Sequence, residues 1–326
     1  MGLLNIMSKQ KISQHIKIKY NIAVIHSYDL NHACTFPQHN GITNTLFAYN
    51  KDMFNVREFF LNAKTQNVKR ADQERVAKCI LAELESRNFD YFFTTDDLAF
   101  ELIGIPLLKK GKKVLASGIN KPFVDYQKEQ TFPIDNLIVC EEYIKISDMC
   151  NIFNEMKFRP TKWYVLYDDT ETSFYMLQNY EKELAGRAQL VPIKVNNLNT
   201  LEKRLIEIQK DPVVIIVITL QTLYDDEFNM FVSKERFMKN IRKINKVHLE
   251  TTGNSLYAKF GFAVASGPDF EDMGKVIANK LISNVITGTW KHEVLQPKSK
   301  TGMNKQRLEE LGFANFLNSQ YNIKVY

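Results

Sequence analysis

Twice along this chain, short uninterrupted apolar runs alternate with longer stretches of helical period, and that alternation restricts the fold more than any other feature. The first set is Tyr20 to His26 (YNIAVIH), Tyr91 to Thr95 (YFFTT) and Lys113 to Gly118 (KVLASG). Between them lie a helix-like segment from about His39 and a helix over Asp72–Glu85, where Val76, Ile80 and Leu84 form one stripe beside Ala77 and Leu81. A further helix through Leu98 and Leu107 leads into KVLASG. The second set follows a connecting stretch near Phe132 to Leu137. It comprises KWYVLY at 162–167, Ala188 to Val195 and Val213 to Leu220, separated by helices from about Ser147 to Lys157, Thr172 to Leu184 and Thr200 to Gln209. Strands that read as continuous apolar runs belong to parallel sheets covered on both faces, so the sequence predicts an α/β protein of two similar units. Phe262 to Ser266, a helix from about Asp272 to Thr287 and the tail are too short for a third unit and are expected to complete the first two.

Length agrees with this division, because 326 residues exceed what one core usually serves. With 44% hydrophobic and 25% charged residues and only 13 Gly and 9 Pro, disorder, collagen and coiled coil are excluded. The net charge of +6 comes from mixed charges, and 33 of the 43 basic residues are Lys, which argues against a dedicated nucleic-acid binder. Cys34, Cys79, Cys140 and Cys150 show no CxxC pair and no finger-spaced His, so no metal site is expected. They read as buried hydrophobes or free thiols, with a Cys140–Cys150 disulfide left open. The longest uncharged apolar run, Pro212 to Tyr224, is too short to cross a bilayer. The first twenty residues lack the apolar core of a secretory signal, so 1–19 is read as an extension or an added segment. Ile6 stands where a myristoylation motif wants Ser or Thr.

In open α/β sheets the chemistry lies beyond the carboxyl ends of the strands. Those loops here are rich in hydroxyls, carboxylates and amides: His26-Ser27-Tyr28-Asp29, Thr94-Thr95-Asp96-Asp97, Ser117 to Asn120, Asp168 to Ser173 and Gln221 to Asp225. Turns and helix caps favour the same residues, and for Thr172, Asp96 and Asp168 capping can be the whole explanation. Enzyme motifs are missing. There is no GxxxxGK[ST], no GxGxxG after the first strand and no GxSxG, and HEVLQ at His292 lacks the second His of HExxH.

The order VIHSYDLNH, TTDDLAF, VLASGINKPF, VCEEYIK, VLYDDTETSFYML and GFAVASGPDFEDMGKVIANKLISNVITG resembles the ABC-transporter substrate-binding family that includes tryptophan- and tyrosine-type binding proteins. The last stretch is the most telling, with Gly267, Asp269, Gly274 and Gly288 in order, and the likeness runs from about residue 21 to 326. It implies a type I periplasmic-binding-protein fold: two Rossmann-like lobes with parallel sheets, joined by three crossings and closing by hinge motion on a small organic solute, often amino-acid-like. The lobes would be 20–135 with 258–292, and 136–257 with 293–326. Carried over by position, the ligand residues would be Ser27, Tyr28, Thr95, Asp96 and Asn120 from one lobe and Glu142, Thr172, Ser173 and Asp225 from the other, with Phe262 near the hinge. No cofactor, metal or catalytic residue is implied. The partners would be a small-molecule ligand and an ABC permease or membrane sensor, at a periplasmic or extracytoplasmic location. The chain departs from the family in lacking an export signal or lipoprotein cysteine, which leaves a cytoplasmic location open. Its DD and EE pairs also depart, leaving room for a cationic or more polar solute. Two other functions share the architecture: the ligand-sensing domain of a signalling protein, and a two-lobed enzyme such as a sugar-nucleotide transferase working through Asp96, Glu142 and Asp225.

Overall fold

A computed structural model describes residues 19–228, 230–313 and 323–325. The segment 1–18 and the stretch 314–322 lie outside the described residues, so the reading of 1–19 as an extension falls almost wholly outside them. In chain order the first elements are β1 (Tyr20–His26), α1 (Thr35–Asn50), β2 (Phe54–Phe60), α2 (Arg70–Ser86), β3 (Tyr91–Thr95) and α3 (Asp96–Ala99). A π-helical turn (Phe100–Gly104) leads to α4 (Ile105–Lys109), β4 (Val114–Ile119), α5 (Phe123–Glu129), β5 (Leu137–Glu141) and α6 (Ile146–Glu155). Then follow β6 (Lys162–Tyr167), α7 (Glu171–Leu184), β7 (Gln189–Lys194), α8 (Leu198–Ile208), β8 (Ile215–Ile218) and the small pair β9 (Tyr224–Asp225) and β10 (Met230–Phe231). The chain continues through α9 (Lys234–Ile244), β11 (Leu249–Thr252), a 3-10 turn (Ser255–Phe260), β12 (Val264–Pro268) and α10 (Phe270–Thr287). It closes with β13 (Glu293–Leu295), β14 (Ser299–Met303), α11 (Lys305–Glu310) and β15 (Ile323–Val325).

The chain divides into two units. Unit 1 holds residues up to Ser117, with Thr131–Cys140 and Gly274–Leu295; unit 2 holds Gly118–Gln130, Glu141–Met273 and the residues from Gln296 on. The chain therefore changes unit five times rather than three, because the 118–130 segment groups with unit 2.

Unit 1 is built on a sheet of order β13-β5-β4-β3-β1-β2. β1 pairs in parallel with both β2 and β3. β3 and β4 are buried at every position, as expected of strands covered on both faces. The helix α2 buries Ala77, Ile80 and Leu84, the predicted stripe narrowed to its centre. β2 is the edge strand, and its sequence FNVREFF buries Phe54 and Phe59 while exposing charged positions, so it lacks the continuous apolar signature and is not among the predicted strands. β5, which begins where the connecting stretch near Phe132 to Leu137 ends, is likewise not among the predicted strands.

Unit 2 has the sheet order β15-β14-β12-β11-β8-β6-β7, parallel from β7 to β12 and antiparallel between β12 and β14. Alternate residues feed two cores. Trp163, Val165, Ile215 and Val217 face one cluster with Phe153, Met176, Leu177 and Tyr180 of α6 and α7. Tyr164, Leu166, Ile216 and Ile218 face the other, with Leu201 and Leu205 of α8 and Phe237 and Ile241 of α9. Pro192 stands inside β7, which tolerates it because β7 ends the sheet.

Four stretches differ from the sequence expectation. Residues 118–130, with Asn120, and 258–273, expected in the first lobe, belong to unit 2, and 136–140 and 293–295, expected in the second, belong to unit 1. The reason is long-range pairing: β12 lies between β11 and β14, while β13 pairs with β5. Neither partner is legible locally.

Candidate functional site

In both sheets the order reverses beside the first strand, between β1 and β3 in unit 1 and between β6 and β8 in unit 2. Such switch points open a crevice beyond the carboxyl ends of the strands, where ligands of open α/β sheets bind. Ser27, Tyr28, Thr95 and Asp96 lie at the ends of β1 and β3, and Thr172 and Ser173 follow β6, but many of their polar atoms are already engaged; Asn120, Glu142, Asp225 and Phe262 lie away from the switch points.

At the unit 1 switch point, Ser27 is fully buried, and its Oγ donates to the Thr95 carbonyl at 2.7 Å and accepts from the Ala99 amide at 2.9 Å. It ties the end of β1 to the end of β3 and to the last residue of α3. Thr95 turns its Oγ1 to His26 Nδ1 at 2.9 Å, and His26 Nε2 meets His39 Nδ1 at 3.2 Å, with Glu58 3.4 Å from His39. Burial, then repulsion from His39, pulls the His26 pKa down to about 3, so its ring is neutral at ordinary pH. His26 ends β1 and His39 is buried on α1, and neither is among the residues nominated from sequence.

Asp96 is the exception at this end. It is 4% exposed, its backbone sits at φ 67°, and its Oδ2 is buried with no hydrogen-bond partner among the described residues. A positive φ is uncommon for a residue other than Gly, though Asn and Asp adopt it more readily than most. Burial raises its pKa to about 7, against the opposing pull of Lys64 and with a small upward push from Asp97. Half-buried Tyr28 stands nearby in the same unit, with Lys64 Nζ 4.1 Å from its ring centre and the His32 ring 4.4 Å away. Lys64 carried no sequence signal of its own.

In unit 2, Asn120 beyond β4 and Glu142 beyond β5 come together: Asn120 Nδ2 donates to Glu142 Oε2 at 3.3 Å, and the Glu142 amide donates to the Ile119 carbonyl at 2.9 Å. Both line a cavity of about 230 Å³ whose wall also includes Tyr143, Tyr175, Asn179 and Lys182. Burial, reinforced by a hydrogen bond to Glu183, pushes the Tyr143 hydroxyl up to about 12, so it stays a neutral phenol. Tyr143 and Tyr175 were not nominated, although Tyr175 lies one turn along the predicted helix from Thr172.

The remaining nominees sit elsewhere in unit 2. Ser173 is fully buried, accepting from the Asp168 amide at 3.1 Å and bonded to Thr219 Oγ1 at 2.9 Å. Thr172 is half-buried on the first turn of α7, whose cap is Thr170, accepting from the Ser173 amide at 3.3 Å. Asp168 accepts from the amides of Thr170, Gln221 and Thr222, stapling two strand-end loops. Asp225 is buried, accepts from the Glu227 amide at 3.0 Å and is paired with Arg236. Phe262 is 1% exposed in the second core cluster, near Phe237 and Tyr257, so its placement is that of a core side chain.

All four cysteines are free thiols, so Cys140 and Cys150 are not bridged. Among the described residues, no three His, Cys, Asp or Glu side chains gather as a metal site, and no helix is long and apolar enough to cross a membrane.

No protein-family model matches the chain, and no curated protein matches it at a significant level. Solved structures do match. An ABC domain in complex with L-Trp from Streptococcus pneumonia aligns with TM-score 0.66 at 13% identity, covering 94% of this chain and 100% of that one. The ligand-free, open structure of CD0873, a substrate binding protein with adhesive properties from Clostridium difficile, aligns with TM-score 0.68 at 12% identity, covering 94% and 99%. A LacI transcriptional regulator from Lactobacillus brevis aligns with TM-score 0.54 at 13% identity, covering 86% and 99%. At these identities the likeness is one of fold: the two-unit α/β fold of type I periplasmic binding proteins, which substrate-binding domains and a regulator share.

Proposed function

We propose that this chain is a binding protein without turnover, which takes up a small organic solute, amino-acid-like in its charges, and delivers it outside the cytoplasm to an ABC importer. The observation that carries the reading is the cavity around Asn120 and Glu142. A carboxylate with an amide beside it suits an ammonium group, and a charge-assisted hydrogen bond is roughly twice as strong as a neutral one. Lys182 on the same wall offers a counter-charge for a solute carboxylate, and Tyr143 and Tyr175 offer aromatic faces for its body. Tyr28 and Asp96 are carried forward as ligand residues of unit 1, because Tyr28 is half open and one Asp96 oxygen is uncommitted.

Mass spectrometry of the protein, native and then denatured, followed by calorimetry across the amino acids, tests the reading. A bound solute released on denaturation supports it. Glu142→Gln should then weaken the solute by about 10- to 150-fold, the equivalent of losing roughly 1.5–3 kcal/mol. Unchanged affinity in that variant would remove the cavity from the argument. A ligand-sensing unit of a signalling protein is the second reading, favoured by the fold shared with the LacI regulator. Permease and ATPase genes beside this one would decide for import.

A further inference from the structure

We propose a second small-molecule site in unit 2, lined by residues other than those of the Asn120–Glu142 cavity, that binds a compact aryl anion. The site is a cavity of about 350 Å³ where the chain enters β6 and β7, within the roughly 300–1,000 Å³ span of small-molecule pockets. Its floor is aromatic. Trp163 at the start of β6 meets Phe153 of α6 edge-to-face at 5.7 Å, and Phe153 meets Phe158 in the same way at 6.2 Å. Its rim is cationic: Arg159 and Arg187 both line it and are exposed, and no Asp or Glu is among the lining residues.

Among the described residues, neither guanidinium makes a side-chain hydrogen bond or an ion pair, although most of the other arginines are paired with a carboxylate. Glu183, whose charge reaches Cys150 on the same wall, is engaged by the Tyr143 hydroxyl. Two uncommitted guanidinium groups beside a planar apolar floor call for a ligand with a flat apolar body and one anionic head. Arg binds carboxylates bidentately and stacks on aromatic faces, which Lys does less well. Ser147 and Asn151 on the wall add hydrogen-bonding capacity. This inference does not depend on the solute-binding reading.

The chain contains two tryptophans, and the other, Trp290, stacks on Tyr91 in unit 1. In the Trp290→Phe background Trp163 is the sole indole, and titration with 4-nitrobenzoate, a nitroaryl quencher, reads the site directly. The expected result is saturable quenching, weakened at least tenfold when Arg159→Gln and Arg187→Gln are combined, and at least tenfold weaker for neutral 4-nitrobenzamide. Glu142→Gln should leave it unchanged. Both arginines are exposed, so the double variant should melt with the parent. Absence of saturable quenching overturns the proposal, as does affinity within twofold of the parent in the double variant or for the neutral amide. Equal loss on Glu142→Gln would assign the quenching to the other cavity and overturn it too.

Discussion

Asp96→Asn should change the pH dependence of folding in a calculable way. In the folded chain burial raises the Asp96 pKa from an ordinary 3.8 to about 7, so the folded state holds a proton there that the unfolded state has released. Where the folded state binds more protons, stability falls as pH rises, so this group lowers stability progressively between about pH 4 and pH 7 and by a constant amount above. At about 1.36 kcal/mol per pK unit, the full effect is about 4 kcal/mol. His26 acts in the opposite sense, because its pKa is pulled from 6.5 down to about 3, and its contribution makes stability rise with pH across that window. The wild-type profile therefore mixes two opposed slopes. The difference between wild type and Asp96→Asn isolates the carboxyl, since the amide stands in for the neutral acid, and Asn is also among the residues that best tolerate the positive φ at this position. Urea denaturation from pH 4 to pH 8 should show the variant gaining on the wild type by up to about 4 kcal/mol, with most of the gain between pH 4 and pH 7. Parallel curves would refute the reasoning and mean that Asp96 is solvated or paired when ionised.

Arg307 and Glu250, 2% and 0% exposed, form a buried ion pair to which Asn245 adds a hydrogen bond to Glu250 at 3.0 Å. Arg307→Ala should cost about 3–5 kcal/mol by stranding the carboxylate, and adding Glu250→Gln should recover much of it in a double-mutant cycle. Phe262→Ala should lower stability by about 3–5 kcal/mol in denaturant titration, and a fall in affinity of the folded variant would return Phe262 to the site. At Gly267 an added Cβ would lie 1.7 Å from the Gly253 carbonyl oxygen, so Gly267→Ala should cost at least the roughly 1–3 kcal/mol of an overpacked core, read as a lower melting temperature.

The class of the fold and its central strands follow from local pattern. Uninterrupted apolar runs such as KWYVLY and VVIIVITL have few alternatives to burial on both faces, and the 3.6-residue stripe of α2 has few alternatives to a helix. The late motif also carried physical reasons legible only as spacing. Gly267 lets β12 pass against Gly253; Asp269 accepts from the Glu271 amide where α10 begins; Gly274 lets α10 lie against α1, where a Cβ would meet the Gln38 carbonyl at 2.2 Å; Gly288 takes φ 66° just beyond the end of α10.

Partnership between elements comes from long-range packing instead. Edge strand β2 has a single neighbour and so a half-polar sequence, and β12 and β13 take their units from strands far away in the chain. The same holds for the site. Ser27, Ser173, Asp96 and Glu142 are all polar residues after strands, indistinguishable by type and position. Long-range hydrogen bonds commit Ser27 to Thr95 and Ala99, and Ser173 to Thr219. They leave one Asp96 oxygen buried without a hydrogen-bond partner among the described residues and set Glu142 beside Asn120 on a cavity wall. A strand-end loop's composition is a local property, but the direction and occupancy of each side chain depend on residues 22 to 72 positions away, which no local pattern encodes.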